Sequence, residues 1–187
     1  MYRSTSNLES MRVIAGEFRR RVLKSLPGLE IRPTPDRMRE ALFNVLSPLI
    51  EGAVFVDAYA GTGAVGIEAL SRGARKVVLI DNDRLALQLI EENLRMLKAL
   101  GRTQVVKGKA AVLAGRYQAD IVFADPPYPL EKEYVDLMTE LGAVGPPLTI
   151  VQHASRFQLE ETYGVLHRTR VLKQGDNSLS FFAPHDV

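Results

Sequence analysis

Short apolar segments alternate along the chain with longer stretches whose apolar residues recur at helical spacing. The short segments predict buried strands, and they are Val54–Val56, Val77–Ile80, Gln104–Val106, Ile121–Ala124 and Leu148–Val151. The longer stretches predict helices, and they are Ala64–Arg72, Arg84–Leu100 and Glu131–Leu141. Strands that alternate with helices are typical of a doubly wound, mostly parallel sheet.

One further helix and one hairpin flank this alternating region. Thr34 is the expected N-cap of the helix, Asp36 suits its first turn, and apolar residues through Leu49 form a stripe that faces the core. After the last predicted strand, Leu166–Leu172 and Ser178–Phe182 enclose a glycine-containing turn. This pattern predicts a β-hairpin.

A second hairpin is predicted near the start of the chain, because apolar and polar residues alternate over positions 12–15 and 21–24 around Gly16. Its side chains are mostly basic. Five cations stand against Glu17 alone, and they are Arg12, Arg19, Arg20, Arg21 and Lys24. Clustered cations bind phosphates, so this basic hairpin, with Phe18 near its tip, is a candidate RNA or DNA contact. The alternative is a solvated charged face.

Composition and charge restrict the class of protein. The chain has 187 residues, of which 46% are hydrophobic and 25% charged, as expected for one globular domain with a sizeable core. No stretch approaches the ~18 apolar residues of a membrane span. The first ten residues are mostly polar and contain no apolar h-region, so they are expected to be a disordered lead-in, not a signal peptide.

The content of cysteine and histidine argues against several kinds of site. Cysteine is absent, which excludes disulfides, cysteine metal sites and a cysteine nucleophile, and agrees with a cytoplasmic location. His153, His167 and His185 are scattered and lack the spacing of metal ligands. No metal is therefore expected.

A glycine-rich turn follows the first predicted strand. Gly61, Gly63 and Gly66 match the G-x-G-x-x-G pattern, and Asp81 ends the next strand, where it can accept hydrogen bonds from ribose hydroxyls. This context makes a nicotinamide cofactor a serious candidate. However, the Asp57 carboxylate beside the turn would repel a pyrophosphate. An acid there suits the ammonium and sulfonium of S-adenosylmethionine, which the residues therefore favour.

A second chemical motif follows the strand Ile121–Ala124, and we call it the acceptor loop: Asp125-Pro126-Pro127-Tyr128. Two prolines stiffen this loop and leave its carbonyl groups as outward acceptors. A carboxylate, a carbonyl and an aromatic ring at fixed spacing suit the amino group of a nucleobase, which donates to the oxygens while the ring stacks on the base. The alternative is a strand-ending turn with a packed tyrosine.

These motifs together resemble the RsmD family, the S-adenosylmethionine-dependent methyltransferases that modify the 2-amino group of one guanine in 16S ribosomal RNA. Four blocks carry the resemblance, and they are Arg12–Gly16, Arg32–Asn44, Asp57–Gly73 and Asp125–Tyr128. The resemblance implies a Rossmann-like class I methyltransferase fold: a seven-stranded, mostly parallel sheet with an antiparallel last strand, plus the N-terminal hairpin. It divides the chain into a lead-in (1–10), the basic hairpin (11–31) and a methyltransferase domain (32–187).

The resemblance also implies a role for each matching residue. The methionine part of the cofactor would lie against Asp57, Tyr59, Gly61 and Gly63. Asp81 would hold the ribose, and Asn82 would lie against the adenine. Thr34, Asp36 and Arg37 would close the site near the cofactor carboxylate. Lys109 departs from the family pattern, because lysine cannot accept from the adenine amine, and this recognition would fall to the backbone around Ala110.

The implied activity is methylation of a guanine in free 16S rRNA or in an assembling 30S subunit by a monomeric enzyme. Asp125 and the Pro126 carbonyl would orient the amine, Pro127 would stiffen the loop, and Tyr128 would stack on the base. Two other classes stay open. One is an amino-methyltransferase of adenine N6 in DNA or of a protein glutamine, and the other is a nucleic-acid-binding module without catalysis.

Overall fold

A computed structural model describes residues 11–25, 36–127 and 129–185. The lead-in 1–10 and the site residues Thr34 and Tyr128 lie outside the described residues. The strands are β1 (Val54–Asp57), β2 (Lys76–Asp81), β3 (Thr103–Lys107), β4 (Ile121–Ala124), β5 (Leu148–Ala154), β6 (Thr162–Tyr163), β7 (Leu166–Gln174) and β8 (Asn177–Pro184). The helices are α1 (Asp36–Leu46), α2 (Ala64–Ser71), α3 (Arg84–Met96), α4 (Ala110–Leu113) and α5 (Glu131–Val144).

All described strands form one mixed sheet in the order β3-β2-β1-β4-β5-β8-β7-β6. The first five strands are parallel, and β8 inserts antiparallel between β5 and β7. The predicted Rossmann-like methyltransferase fold is confirmed, including the antiparallel last strand. The sheet has eight strands and not seven, because a two-residue strand, β6, pairs with the edge of β7.

Buried side chains form two clusters on opposite faces of the sheet. Phe55 of β1 belongs to the cluster beneath α1, α2 and α3, whereas its neighbour Val56 belongs to the cluster beneath α4 and α5. Strands buried on both faces need continuous apolar sequence, which explains the short apolar runs. Within the described residues, no helix has both the length and the apolar character needed to cross a membrane.

The predicted helix Arg84–Leu100 is four residues too long, since α3 ends at Met96. Lys98 takes a left-handed conformation (φ +56°), and the Ala99 N–H donates to the Leu94 carbonyl. These are the features of a helix-terminating Schellman motif, and a lysine in place of the usual glycine hid it from sequence analysis.

Within residues 11–25, the basic hairpin is a loop with one antiparallel bridge, Arg12 to Val22. It is anchored on α2, where the buried Glu68 carboxylate accepts from the N–H groups of Ile14 and Ala15 across 2.8 and 3.0 Å. Phe18 is only 7% exposed and packs into the core, so its ring helps to fix the hairpin on the domain. The domain boundaries stay a prediction.

Candidate active site

The carboxyl ends of the parallel strands bring the glycine turn and the acceptor loop together. Asp57 ends β1 and lies opposite Phe123 of β4, two residues before Asp125. The Ala58 N–H donates to the Phe123 carbonyl across 2.8 Å, and the Ala60 N–H donates to the Ile80 carbonyl across 2.9 Å. The turn is therefore held between β2 and β4, at the edge where doubly wound sheets bind ligands.

The three glycines of the turn serve different purposes. Gly61 and Gly63 have φ values of +54° and +78°, which side chains rarely tolerate. The Gly61 N–H also donates to Asp81 Oδ2 across 2.8 Å. Gly66 serves helix packing, because a Cβ atom there would lie 2.8 Å from Leu79 Cδ2. Gly61 and Gly63 shape the turn, whereas Gly66 lets α2 approach β2.

Asp57 is almost completely buried (1% exposed) behind the turn. Its Oδ2 atom accepts from the Gly66 N–H across 2.9 Å, while Oδ1 is buried and has no hydrogen-bond partner among the described residues. Burial raises the pKa of Asp57 to about 7; the nearby charges of Asp81 and Asp125 add to this rise, and the Gly66 hydrogen bond opposes it. A cation beside Oδ1 would supply the missing contact and would offset the repulsion between Asp57 and the carboxylates of Asp81 and Asp125.

The residues expected to hold the ribose and adenine lie on neighbouring loops after β2 and β3. Asp81 Oδ1 accepts from the Asp83 N–H across 2.8 Å, so backbone amides orient both oxygens of this carboxylate. The Gly108 N–H donates to the Asp81 carbonyl across 3.0 Å, which joins the two loops. Asn82 and Lys109 are exposed, and Ala110 is buried at the start of α4.

The acceptor loop is supported from below by two buried polar side chains that sequence analysis did not identify. Gln152 of β5 donates from Nε2 to Asp125 Oδ2 across 3.0 Å. Tyr134 of α5 donates its hydroxyl hydrogen to the Pro126 carbonyl across 3.0 Å. Pro126 is buried and Pro127 is exposed. The available signal was Gln152 itself, a polar residue directly after the apolar run of β5.

Tyr59 lies between the glycine turn and α5 and is half-buried. Its hydroxyl group donates to Glu133 Oε2 across 2.9 Å. Burial raises the pKa of Tyr59, and the Glu133 carboxylate raises it further, so the phenol stays protonated. The ring is thus fixed between the glycine turn and α5.

The start of α1 contains a buried cation that sequence analysis missed. Arg39 is 1% exposed, and its Nη2 atom donates to Asp36 Oδ1 (2.8 Å) and to the Arg12 carbonyl (2.7 Å). Burial lowers the pKa of Arg39, while Asp36 opposes this change. Arg37 is exposed. Asp36 therefore helps to anchor α1 to the basic hairpin. The sequence signal for this contact was the position of Arg39, which falls at helical spacing with the apolar stripe of α1.

The cations of the basic hairpin lie on the protein surface. Those that sequence analysis assigned to nucleic acid are all exposed: Arg12, Arg19, Arg20, Arg21 and Lys24. Lys24 pairs with Glu92 across 2.9 Å. The start of the hairpin meets the glycine turn, where Met11 Sδ is 3.5 Å from Thr62 Oγ1. Its arginine-rich end lies at the far end of α2, about 12 Å along the helix.

The charge at this edge of the sheet favours one kind of ligand over another. Asp57, Asp81 and Asp125 make the edge acidic, whereas exposed cations lie along the basic hairpin beside it. The acidic edge disfavours the pyrophosphate of a dinucleotide and favours a cationic ligand. No group of three or more histidine, cysteine, aspartate or glutamate side chains in the described ranges has the arrangement of a metal site.

Comparisons with known proteins agree with this arrangement. A protein-family profile described as "Conserved hypothetical protein 95" matches residues 11–183. The chain is 41% identical over 136 residues to Ribosomal RNA small subunit methyltransferase D of Escherichia coli K12, a match that covers 71% of this chain and 68% of that protein.

Solved structures show the same fold. The Escherichia coli protein yhhF, which carries a provisional description as a methyltransferase, is 31% identical and superposes with a TM-score of 0.82 over 95% of this chain and 99% of its own. An RNA methyltransferase from Salinibacter ruber, in complex with S-adenosyl-L-homocysteine, shares only the fold, with 14% identity and a TM-score of 0.63 over 83% of this chain and 95% of its own. The family profile and the sequence identity establish that the chain belongs to the RsmD family.

Proposed function

We propose that this protein transfers a methyl group from S-adenosylmethionine to the exocyclic 2-amino group of a guanine in small-subunit ribosomal RNA. One observation carries the proposal. The acceptor loop after β4 lies beside the glycine turn after β1, with Phe123 and Asp57 in register, so a methyl donor and an amine acceptor would meet at one edge of the sheet.

The cofactor site fits the methyl donor in its chemistry. Asp57 Oδ1 is buried without a partner among the described residues and faces an acidic edge, and a ligand that carries an ammonium and a sulfonium would complement both features. Asp81, whose oxygens are oriented by two backbone amides, would accept from the ribose hydroxyls. S-adenosylmethionine would supply a methyl group bound to a sulfonium.

The acceptor loop provides two hydrogen-bond acceptors that can orient a weak nucleophile. The lone pair of a guanine 2-amino group is delocalised into the ring, so the amine attacks weakly. Asp125 and the Pro126 carbonyl would accept its two hydrogens and favour a pyramidal nitrogen that points toward the methyl group. Tyr128 would stack on the extruded base. Positioning is the main catalytic effect, and the alkylated nitrogen releases its proton readily.

The substrate class follows from the charge distribution and the family. The exposed cations Arg12, Arg19, Arg20 and Arg21 would meet phosphates, while the acidic edge holds the cofactor and the base. The basic hairpin is anchored on α2 by Glu68 and Ser71, so its cations have a fixed position relative to the glycine turn. This division suits an RNA strand that delivers one extruded base.

The direct test is mass spectrometry of rRNA nucleosides from cells with and without the gene. We expect N2-methylguanosine in 16S rRNA to fall in the deletion strain and to return on complementation with the wild-type gene. An Asp125→Ala gene is the matched control and should not restore it. An unchanged N2-methylguanosine level, or loss of a methylated adenosine instead, would overturn the proposal.

A further inference from the structure

Two buried polar side chains lie directly beneath the acceptor loop. Gln152 is 3% exposed and Tyr134 is 1% exposed, yet each directs a hydrogen-bond donor at the loop and not at the core. Gln152 Nε2 is 3.0 Å from Asp125 Oδ2, and the Tyr134 hydroxyl is 3.0 Å from the Pro126 carbonyl. Burying polar groups costs free energy, so their common target needs an explanation.

We propose that Gln152 and Tyr134 are positioning residues for methyl transfer, Gln152 by orienting the Asp125 carboxylate and Tyr134 by orienting the Pro126 carbonyl. The inference rests on the proposed function, because it assigns these residues to the same amine-binding oxygens. Neither residue is assigned a contact with the base or the cofactor. Each acts through the loop atom to which it donates.

The orientation of the Asp125 carboxylate is free unless a neighbouring group fixes it. The terminal torsion of aspartate is broad, so an unsupported carboxylate samples many orientations. A hydrogen bond from a neutral amide restricts the orientation of Asp125 without neutralising its charge. Carboxylate and carbonyl oxygens accept more than one hydrogen bond, so the bonds from Gln152 and Tyr134 are compatible with a second donor from the base.

The support is built on regular elements and not on another loop. Gln152 belongs to β5, which pairs with β4 directly before the acceptor loop. Tyr134 belongs to the first helical turns of α5, and its ring contacts Phe157 with a centroid separation of 4.8 Å. Its hydroxyl also lies 3.4 Å from the Gln152 carbonyl. Sites held by strands and helices keep their geometry better than sites held by loops.

The alternative is that Gln152 only fills the core, and Thr149 offers a matched control. Thr149 lies on the same strand, is fully buried, and its hydroxyl has no hydrogen-bond partner among the described residues. Thr149→Val removes a buried polar group from β5 without touching the acceptor loop. Any general effect of altering this strand should appear in that variant too.

The test is single-turnover methyl transfer by the full chain to 16S rRNA or 30S particles, together with equilibrium binding of the methyl donor. We expect Gln152→Leu and Tyr134→Phe to lower the transfer rate on the order of 10–100-fold, because small misplacements of reacting groups are costly. Affinity for the methyl donor should stay within about twofold. Thr149→Val should leave both quantities unchanged.

A second variant distinguishes positioning from packing. Gln152→Glu has the same shape, but its carboxyl group donates to Asp125 only when protonated. Its rate relative to wild type should therefore rise as the pH falls, whereas the relative rate of Gln152→Leu should stay flat. The ionisable groups beside this position are Asp125 and Tyr134, and Asp57 lies further away on β1, beyond β4. The introduced carboxyl group and Asp125 bind protons as a coupled pair, so the pH profile of Gln152→Glu belongs to that pair, whereas Gln152→Leu introduces no such coupling.

A double-mutant comparison tests whether Gln152 acts through Asp125. In an Asp125→Ala background, Gln152→Leu should cost much less than it costs in the wild type, since the oxygens that Gln152 orients are gone. Equal costs in both backgrounds, a flat pH profile for Gln152→Glu, or a Gln152→Leu rate equal to that of Thr149→Val would overturn the inference. A product other than N2-methylguanine would overturn the proposed function instead, while the rate ratios would still decide this inference.

Discussion

The hydroxyl group of Tyr59 donates to Glu133 Oε2 across 2.9 Å, and this contact joins the glycine turn to the first turn of α5. The next residue of α5, Tyr134, contacts the acceptor loop at Pro126. Consecutive residues of one helix therefore contact the glycine turn and the acceptor loop. Helix α5 joins these two loops in addition to the pairing of β1 with β4.

The first prediction concerns this contact. Tyr59→Phe removes the hydroxyl group and keeps the ring, so we expect the free energy of unfolding to fall by about 0.5–1.5 kcal/mol, the usual net value of one hydrogen bond. Affinity for S-adenosylmethionine should change little, because the ring remains. Denaturant unfolding and calorimetry measure the two quantities. Glu133→Gln is the matched control, since an amide oxygen still accepts; a larger loss in that variant would contradict this view of the contact.

The second prediction concerns pH and Asp57. Its pKa in the folded protein is about 7, above the ordinary value of 3.8. The group's stabilising contribution is thus fully present below about pH 4 and is lost as the pH rises to about 7, by up to roughly 1.4 kcal/mol per pH unit. An asparagine side chain does not titrate, so the Asp57→Asn variant should gain stability relative to wild type across this range. A constant difference in unfolding free energy would contradict the assignment.

The same ionisation should appear in ligand binding. If the ionised Asp57 carboxylate meets the cationic end of the methyl donor, the wild-type affinity should rise relative to that of Asp57→Asn between about pH 6 and 8. Titration of the ligand affects both proteins and cancels in the ratio. A ratio that falls with pH, measured by calorimetry, would show that Asp57 does not bind the cation.

The third prediction concerns the basic hairpin. Replacing Arg19, Arg20 and Arg21 with glutamine should weaken RNA binding and reduce the slope of log affinity against log salt by about 0.7 for each phosphate that the protein no longer neutralises. Glutamine keeps a long polar side chain and removes the charge. Affinity for the methyl donor should hardly change.

The control for the hairpin removes the same charge elsewhere. Arg75, Lys76 and Arg116 are exposed at the amino ends of the strands, on the edge opposite the site. Their replacement with glutamine should leave the salt slope near the wild-type value. Equal slopes for the two triple variants would show that the hairpin is only a solvated face.

The fourth prediction concerns Tyr128, which sequence analysis assigns to base stacking. Stacking needs the ring and not the hydroxyl, so Tyr128→Phe should transfer methyl groups at close to the wild-type rate. Tyr128→Ala should weaken productive RNA binding, since stacking contributes about 1–3 kcal/mol per base. Methyl transfer at limiting RNA concentration measures the difference. A severe loss in Tyr128→Phe would instead assign a role to the hydroxyl.

Sequence analysis predicted the fold well because its central strands are buried on both faces. Ile121–Ala124 is a continuous apolar run that could only be a buried segment, and β4 has the same bounds. Elements too short for their pattern to repeat escaped detection. Helix α4 has four residues and β6 has two, so neither shows a repeat of apolar positions.

Sequence analysis could predict the site residues that a local motif marks. It could not predict the residues that reach the site only through contacts distant in sequence. Asp57 and Asp125 each follow an apolar run, and the topology brings these ends together. Gln152 contacts a residue 27 positions away, which no local pattern reveals. The burial of Phe18 was unpredictable for a related reason: alternation in a hairpin does not say which face is covered, and Ser71 of α2 holds this segment against the core.

The proposed chemistry depends above all on the action of Asp125 on the amino group of a guanine. The decisive measurement is single-turnover methyl transfer to 16S rRNA or 30S particles, with product nucleosides identified by mass spectrometry. We expect the wild type to form N2-methylguanosine and Asp125→Ala to lose on the order of 100-fold or more in rate, with the affinity for S-adenosylmethionine nearly intact. Asp125→Asn should retain more activity than Asp125→Ala, because its amide oxygen still accepts. Wild-type rates in Asp125→Ala, or methyl groups on adenine, would refute the role assigned to Asp125.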